Sequence, residues 1–279
     1  MQFNFSKWHG LGNDFVIVNG FNETISDYAD AAIKVCDRHF GVGADGLVLV
    51  LPSEIADFQM RIFNSDGSEA EMCGNVTRCV ARYVYETGLT NKTNLSIETK
   101  AGLIKPELVF EKGKLKTVRV DMGEPRLLAT EIPVSGVTVD KVIDFPLSVK
   151  EQTFNITCVS MGNPHCVIFV EDVMSIDLTS IGRLIETHSL FPKKTNVEFV
   201  QIIDQQTVRM RVWERGAGIT MACGTGACAT LVASVLNGKT AREATVQLDG
   251  GSLFIEWEAN NHVYMSGPAV EVFRGTYLL

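Results

Sequence analysis

The sequence predicts a mixed α/β (α+β) protein built from two similar halves, each a curved sheet wrapped around a central helix. Residues 59–74 align with residues 209–224 at an offset of 150, and the same offset places Gly12-Asn13 on Gly162-Asn163. Strand-like apolar runs alternate with helix-like segments in both copies. The 279 residues, 46% of them hydrophobic, suffice for two packed cores. A repeat this long indicates two half-domains with equivalent positions.

One helix and two strands are predicted early in the first copy. Ser26-Asp27 is typical of a helix N-cap, so a helix is expected over residues 28–40, ended by Gly41. The apolar run 47–51 predicts a buried strand, and residues 60–63 predict a second strand.

A turn and a second helix complete the first copy. Residues 64–68 are rich in turn formers, and a helix is expected to begin at Cys73 and to end at Gly88. We assign the first half to residues 1–118, with residues 268–279 returning to it.

The second copy, assigned to residues 119–267, repeats this order. Residues 211–213 predict a strand and residues 216–218 a turn. The helix that Cys223 begins, which ends at Asn237-Gly238, is apolar nearly all round. Such a helix should be enclosed by its own sheet.

Composition narrows the class of partner. A net charge of −8 disfavours nucleic acid and anionic membranes, although it leaves room for a small acidic substrate. The N-terminus lacks a basic stretch followed by an apolar core, and no apolar run approaches about 18 residues. We therefore expect a cytoplasmic protein that binds a small molecule, with no nucleic acid and no membrane partner.

The seven cysteines favour free thiols over a disulfide framework, because their number is odd and they are scattered through a long chain. The spacings of Cys73 to Cys79 and of Cys223 to Cys228 do not match structural zinc, so no metal is expected. Five cysteines are expected to be small core residues: Cys36, Cys79, Cys158, Cys166 and Cys228.

Cys73 and Cys223 each precede a predicted helix, and this position gives a thiol chemistry. Unpaired N–H groups and the helix dipole favour anions, so we expect the thiol pKa to fall from about 8.5 toward neutrality. The same N–H groups can bind a carboxylate. Gly74 and Gly224 permit another group to approach the backbone closely. Two equivalent thiols suggest two acid/base groups that face each other.

Several motifs extend along the whole sequence, at residues 9–15, 63–68, 72–75, 78–79, 161–165, 214–218 and 222–228. In these motifs the chain resembles the diaminopimelate epimerase family. The related proline racemase group is similar in fold and cysteine pairing, but it usually has His where this chain has Asn75.

The resemblance implies a cofactor-independent epimerase that interconverts LL- and meso-diaminopimelate in lysine and peptidoglycan precursor biosynthesis. It implies two pseudo-symmetric half-domains, each a curved, mostly antiparallel sheet or barrel around a central helix, with the active site in the cleft between them. It also implies a homodimer.

Individual roles follow from the same resemblance. Cys223 is expected to act as base and Cys73 as proton donor in one direction, with exchanged roles in reverse. His165 is expected to help set thiol protonation, Glu214 to pair with the reacting ammonium, and Arg215 to bind the distal carboxylate. The α-carboxylate is expected on the backbone amides of Gly74, Asn75, Gly224 and Thr225. The other substrate-binding positions are Asn13, Gly46, Asn64, Asn163 and Asn196.

Three positions depart from the family pattern. Val76 stands where Gly is usual, Gly46 where some members have Gln, and Ile219 where Glu is common. Because the N–H of Val76 survives the change, we expect altered kinetics and a retained activity.

Three other functions stay open at this point. The thiols of Cys73 and Cys223 can form a redox pair in a dithiol oxidoreductase, although such motifs normally place their thiols two residues apart. The chain can be a non-catalytic amino-acid-binding protein, or a racemase of another amino acid on the same scaffold.

Overall fold

The computed structural model describes residues 2–278. They form two compact units, one of residues 2–121 with 266–278 and the other of residues 122–265. The division of the sequence into halves at 118/119 and 267/268 stays a prediction, and its terminal residues 1 and 279 lie outside the described residues.

Four α-helices lie in the described part of the chain, and they form two pairs at the 150-residue offset. The first and third helices match in position, and so do the second and fourth. A short 3₁₀ helix covers Val173–Ser175. The α-helices are α1 (Tyr28–Cys36), α2 (Gly74–Glu86), α3 (Leu178–Glu186) and α4 (Gly224–Leu236).

The strands of the structure include every strand predicted from the sequence. In chain order they are β1 (Gln2–Gly10), β2 (Asn13–Asn19), β3 (Gly46–Leu51), β4 (Phe58–Asn64), β5 (Glu69–Ala70), β6 (Ile97–Thr99), β7 (Gly102–Ile104), β8 (Glu107–Glu111), β9 (Lys114–Asp121), β10 (Phe145–Val149), β11 (Gln152–Ser160), β12 (Pro164–Phe169), β13 (Asn196–Asp204), β14 (Thr207–Glu214), β15 (Gly218–Ile219), β16 (Glu243–Leu248), β17 (Gly251–Trp257), β18 (Val263–Gly267) and β19 (Val270–Leu278).

Both units use the same strand order. The first runs β19-β1-β2-β3-β4-β6-β7, and the second runs β10-β11-β12-β13-β14-β16-β17-β18. Parallel pairs occur at equivalent steps, β2 with β3 and β4 with β6 in the first unit, β12 with β13 and β14 with β16 in the second. The predicted fold class is confirmed as a mixed α+β protein with two sheets.

Each sheet has a helix on both of its faces. In the first unit α2 packs on β1 and β2, whereas α1 packs on β3 and β4. In the second unit α4 packs on β11, β12, β13, β16 and β17, and α3 packs on β13 and β14. The predicted enclosure of α4 by its sheet is confirmed. Strands covered on both faces are apolar throughout, which explains the uninterrupted run at 47–51.

The prediction that α1 extends through Phe40 is wrong. Its N-cap is Asp27, as predicted, and accepts hydrogen bonds from two first-turn N–H groups. The helix ends at Cys36 because Asp37 leaves the helical region and its carboxylate accepts the N–H groups of His39 and Phe40 at 2.7 and 2.8 Å. The Phe40 side chain is 91% exposed.

The turn predicted at 216–218 is shorter than expected, because Gly218 pairs with Glu214 in the antiparallel contact of β15 with β14. Among the helices of residues 2–278, none is long and apolar enough to span a membrane.

Candidate active site

Cys73 is the N-cap residue of α2, in extended conformation. Its Sγ donates to Asn13 Oδ1 at 3.8 Å, and Asn75 Nδ2 donates to the same oxygen at 3.1 Å. The acceptor beside Cys73 therefore suits a protonated thiol.

An ionic network orients the Asn13 amide. Asn13 Nδ2 donates to Asp45 Oδ2 at 2.6 Å, and Arg38 pairs with both Asp45 and Asp14. Lys7, which is buried, lies 2.7 Å from Asp14. Burial raises the pKa of Asp14, but the hydrogen bonds from Arg38 and Lys7 lower it more, so its carboxylate stays charged. With Nδ2 bound to Asp45, Asn13 must direct Oδ1 toward Cys73.

A fully buried arginine fixes Asn75 in the first turn of α2. Arg78 Nη2 donates to Asn75 Oδ1 at 2.7 Å, and its other nitrogens donate to the backbone carbonyls of Gly74 and Pro268 at 3.3 Å. The Asn75 side chain is thus held from both ends, because its Nδ2 binds Asn13.

Cys223 is the N-cap residue of α4 and meets the opposite hydrogen-bond environment. Its Sγ accepts the Gly226 N–H at 3.4 Å and lies 3.6 Å from Thr225 Oγ1. Burial raises the pKa of the Cys223 thiol, and Glu214 and Glu198 raise it further, whereas Thr225 and Gly226 lower it. The predicted lowering of this pKa is wrong, because the thiol lies in a dry site beside two carboxyl groups.

A chain of side chains leads away from Cys223 into the core. Asn163 Nδ2 donates to Thr225 Oγ1 at 3.2 Å, and Asn163 Oδ1 lies 3.0 Å from His165 Nε2. His165 Nδ1 lies 2.7 Å from Glu198 Oε1, and both side chains are fully buried. Glu198 Oε2 has no hydrogen-bond partner among the described residues.

Three residues of this group have metal-ligating atoms. The atoms of His165, Glu198 and Cys223 lie within 4.8 Å of one another. Histidine and cysteine suit zinc, but His165 Nδ1 and Glu198 Oε1 are already hydrogen-bonded to each other. The expected absence of a metal stays a prediction.

Glu214 and Arg215 lie at the end of β14. The Thr220 hydroxyl donates to Glu214 Oε1. Burial raises the pKa of the Glu214 carboxyl. Arg215 is exposed, its Nη1 donates to the Lys193 carbonyl at 3.1 Å, and its backbone N–H donates to Asn196 Oδ1 at 2.8 Å. Asn196 itself is buried.

Asn64 and Gly46 are cross-strand neighbours in β4 and β3. Asn64 is exposed and donates to Ser68 Oγ at 2.9 Å. Gly46 is buried, and a Cβ there would lie 2.9 Å from the Phe63 carbonyl oxygen, which explains why this chain has no larger residue at 46.

The sequence profile of the diaminopimelate epimerase family matches residues 5–128 and 157–272. A diaminopimelate epimerase of Pelotomaculum thermopropionicum is 58% identical over 275 residues, with 98% of each chain covered. The chain belongs to the diaminopimelate epimerase family. It is therefore an isomerase. A second family member, from Acetivibrio thermocellus, is 59% identical over 274 residues, 97% of each chain.

Solved structures with low sequence identity share the two-domain fold. A phenazine biosynthesis protein of the PhzF family from Bacillus anthracis superposes with a TM-score of 0.72 at 18% identity, covering 100% of both chains. A hydroxyproline epimerase from Agrobacterium vitis has a TM-score of 0.69 at 16% identity, covering 99% of this chain and 92% of that one.

The structure groups the predicted site residues around the two thiols. In the first unit it connects Cys73 with Asn13 and Asn75. In the second it connects Cys223, Thr225, Asn163 and His165, with Glu214 adjacent to Cys223, while Asn196 holds the backbone of Arg215. Asn64 donates to Ser68 within the turn that follows β4.

The sequence predicted no role for Glu198, Asp45 or Arg78, although Arg78 lies within one of the family motifs. Glu198 carries a recognisable signal, because it is a charged residue within the otherwise apolar run 197–200. Asp45 and Arg78 carry a weaker one, since each lies within three residues of a predicted site position.

Proposed function

We propose that this chain interconverts LL- and meso-diaminopimelate, with Cys73 and Cys223 as a two-base pair and without a cofactor. The observation that carries the proposal is the opposite hydrogen-bond polarity of two helix N-cap thiols in a member of this family. Cys73 donates to a side-chain oxygen, whereas Cys223 accepts from the Gly226 N–H.

A two-base epimerisation needs one thiolate and one thiol in each turnover. The acceptor beside Cys73 favours the protonated form, and the donors beside Cys223 favour the thiolate. In this state Cys223 removes the α-hydrogen and Cys73 delivers a proton to the opposite face of the α-carbon. The two groups end the turnover with exchanged protonation, ready for the reverse direction.

The reaction develops negative charge on the α-carbon and its carboxylate. No imine is available to delocalise that charge, so preorganised donors must stabilise it. In the proposal the α-carboxylate binds the first-turn N–H groups of α2 and α4, at Gly74, Asn75, Gly224 and Thr225. These groups have no partner within the helix and lie at the positive end of its dipole.

The raised pKa of Cys223 fits activation by the substrate. Without substrate, burial and two carboxyl groups disfavour the thiolate. The α-ammonium of the substrate is expected to pair with Glu214, which is adjacent to Cys223. A cation there removes much of the repulsion and favours the thiolate when a hydrogen is to be abstracted.

Specificity is assigned to Arg215 at the distal end of the substrate. Its guanidinium is exposed in this structure and can form two parallel hydrogen bonds with a carboxylate. The same proposal includes a role in lysine and peptidoglycan precursor biosynthesis, a cytoplasmic location and a homodimer.

The deciding experiment is incubation of LL-diaminopimelate with the protein in D₂O. We expect the meso isomer to form and α-deuterium to appear in step with inversion. Inversion without deuterium, or deuterium uptake without inversion, contradicts the two-base reaction. No exchange at all, from a folded protein, contradicts the epimerase assignment.

A further inference from the structure

One turn contains both charged residues to which the proposed function assigns the ends of the substrate. Glu214 is the last residue of β14, and Arg215 follows it. The Ala217 N–H donates to the Glu214 carbonyl at 3.1 Å, which closes a β-turn with Arg215 and Gly216 as its central residues. The position of the Arg215 side chain therefore depends on how firmly this turn is held.

A buried carboxylate at the end of α3 holds the turn. Glu186 accepts the Gly216 N–H through Oε1 at 3.1 Å and the Trp213 indole N–H through Oε2 at 2.7 Å. Burial raises the pKa of the Glu186 carboxyl, but the hydrogen bonds from Trp213 and Gly216 and the charge of Lys194 lower it more, so the group is ionised. Both donors are N–H groups that cannot accept, and the direction of both hydrogen bonds is therefore fixed.

The helix that bears this carboxylate is itself fixed against β14. A Cβ at Gly182 would lie 2.6 Å from Trp213 Cβ, so the backbone of α3 lies directly on the Trp213 side chain. Glu186 follows one helical turn later. The buried Asn196 of β13 accepts the preceding N–H of the turn, that of Arg215, at 2.8 Å. Two consecutive backbone N–H groups of the turn are thus bound by buried side chains.

The Glu186 carboxylate also favours one of two conformations of the turn. Gly216 has a φ of +79°, whereas Arg215 does not have a positive φ, and this is the type II pattern. In a type I turn the Arg215–Gly216 peptide is reversed, so a carbonyl oxygen would face the carboxylate in place of the N–H. Glycine permits the positive φ, and Glu186 makes it the favoured state.

The equivalent turn of the first unit is built differently. The Gly67 N–H donates to the Asn64 carbonyl at 2.9 Å, and neither of the two central residues has a positive φ, which is the type I pattern. The residue equivalent to Glu186 is Cys36, the last residue of α1. The type II conformation therefore occurs in the unit whose helix ends with a carboxylate.

We propose that Glu186 is a positioning residue for Arg215, which holds the turn against α3 in its type II conformation and so fixes the guanidinium that binds the distal carboxylate. A substrate with a distal carboxylate gains from this order, whereas a substrate without one does not. The inference rests on the proposed function in taking Arg215 as the group that binds the distal carboxylate.

Three variants separate this role from a general effect on stability. Glu186→Met has a similar length and no oxygen, so it removes both hydrogen bonds. Gly216→Ala disfavours the type II turn, because alanine resists a positive φ, while no described atom lies within 4 Å of a Cβ at this position. Trp213→Phe is the matched control, since it removes one hydrogen bond of Glu186 and leaves the one from Gly216.

The kinetic expectations concern discrimination between two substrates. In Glu186→Met and in Gly216→Ala, kcat/KM for LL-diaminopimelate should fall about 10- to 100-fold, mainly through a higher KM, because the distal carboxylate is bound in ground state and transition state alike. The kcat/KM for α-deuterium uptake by L-lysine should change less than about threefold. Trp213→Phe should lower the free energy of unfolding and leave the ratio of the two substrates unchanged. Equal losses with both substrates in the first two variants, or the same loss of discrimination in Trp213→Phe, overturn the proposal.

A measurement on the turn itself does not depend on turnover. In protein labelled with ¹⁵N-glycine, the Gly216 amide is assigned by its absence from Gly216→Ala. This amide should exchange with solvent at least about tenfold faster in Glu186→Met than in the wild type or in Trp213→Phe. An exchange rate that Glu186→Met does not change overturns the proposal. If the wild-type protein exchanged no α-hydrogen, the proposed function would fail, and amide exchange would still decide whether Glu186 holds the turn.

Discussion

At the scale of single residues, the decisive contrast is between two thiols at the same helix position with opposite partners. Asp45 holds Asn13 so that its oxygen faces Cys73, whereas Cys223 meets a backbone N–H. Asn13 cannot reverse without breaking its hydrogen bond to Asp45, and a backbone N–H can only donate. In the proposed two-base reaction each thiol has a different task, so neither is expected to suffice alone.

The first prediction concerns these thiols. Cys73→Ser and Cys223→Ser should each lower kcat/KM for LL-diaminopimelate by roughly 10³-fold or more, because a hydroxyl is far less acidic than a thiol. Cys79→Ala and Cys228→Ala, both buried inside the same helices, are the matched controls and should retain activity. Near-normal turnover by either serine variant contradicts the two-base reaction.

The second prediction concerns Glu214 and pH. Burial raises the pKa of its carboxyl above 4.5, so between that pH and the raised pKa the folded protein binds a proton that the unfolded chain has lost. Ionisation of Glu214 thus lowers the free energy of unfolding as pH rises. Glutamine at this position cannot ionise. In urea unfolding between about pH 4 and 8, the free energy of unfolding of Glu214→Gln relative to that of the wild type should therefore increase with pH.

Glu69 provides the control of opposite sign. Its hydrogen bond with Arg61 lowers the pKa of the Glu69 carboxyl, so the ionised form stabilises the fold above pH 4.5. Glu69→Gln should therefore have a lower free energy of unfolding than the wild type at neutral pH, and this difference should become smaller in acid. A difference between Glu214→Gln and wild type that does not change with pH would contradict the sign given for Glu214.

At the scale of elements, α2 and α4 have the same bounds at the 150-residue offset but different requirements in the first turn. The third prediction uses this. Gly226→Val should destabilise the wild type, because its Cβ would meet Glu198 Oε1 at 2.7 Å. In the His165→Phe, Glu198→Val background the same change should be tolerated.

The two effects define a coupling energy, which we expect at about 1–3 kcal/mol for residues in direct contact. Urea unfolding of the four proteins in the cycle measures it. Equal destabilisation by Gly226→Val in both backgrounds contradicts the connection between positions 226 and 198.

Most elements were predictable from the sequence because their signals are local. The strands within β3, β4 and β14 come from apolar runs, and the starts of α2 and α4 follow from the residues before them. The end of α1 was missed because Asp37 caps a turn by side-chain hydrogen bonds that periodicity does not register. The helix α3 was not predicted, although the offset from Asp27 leads to its N-cap, Asp177.

The site was predictable where chemistry lies in a motif and unpredictable where it depends on pairing across strands. His165 belongs to a motif, but Glu198 acquires its role only because β12 and β13 are parallel neighbours. The pKa direction at Cys223 was wrong for a related reason. A helix N-terminus is visible in the sequence, whereas the burial that outweighs it is not.

At the scale of the whole molecule, the fourth prediction concerns specificity. LL-diaminopimelate should exchange its α-hydrogen at least about 100-fold faster than L-lysine, which has no distal carboxylate for Arg215. Arg215→Met should lose about 2–5 kcal/mol in kcat/KM if substrate binding buries this pair. Lys193→Met, which alters a neighbouring cation, is the control. Comparable exchange of lysine would favour a broad-specificity racemase.

The 150-residue repeat also has a consequence for how such a site can change. In a dimer of identical half-length chains, every substitution appears on both sides of the symmetry axis. In a tandem chain it appears once. A single chain can therefore have different residues at equivalent positions of its two halves, which a dimer of identical chains cannot. The residues concerned are Phe15, Val48 and Val76 in one half and His165, Glu198 and Gly226 in the other. A tandem repeat within one chain therefore permits Cys73 and Cys223 to have different neighbours at equivalent positions.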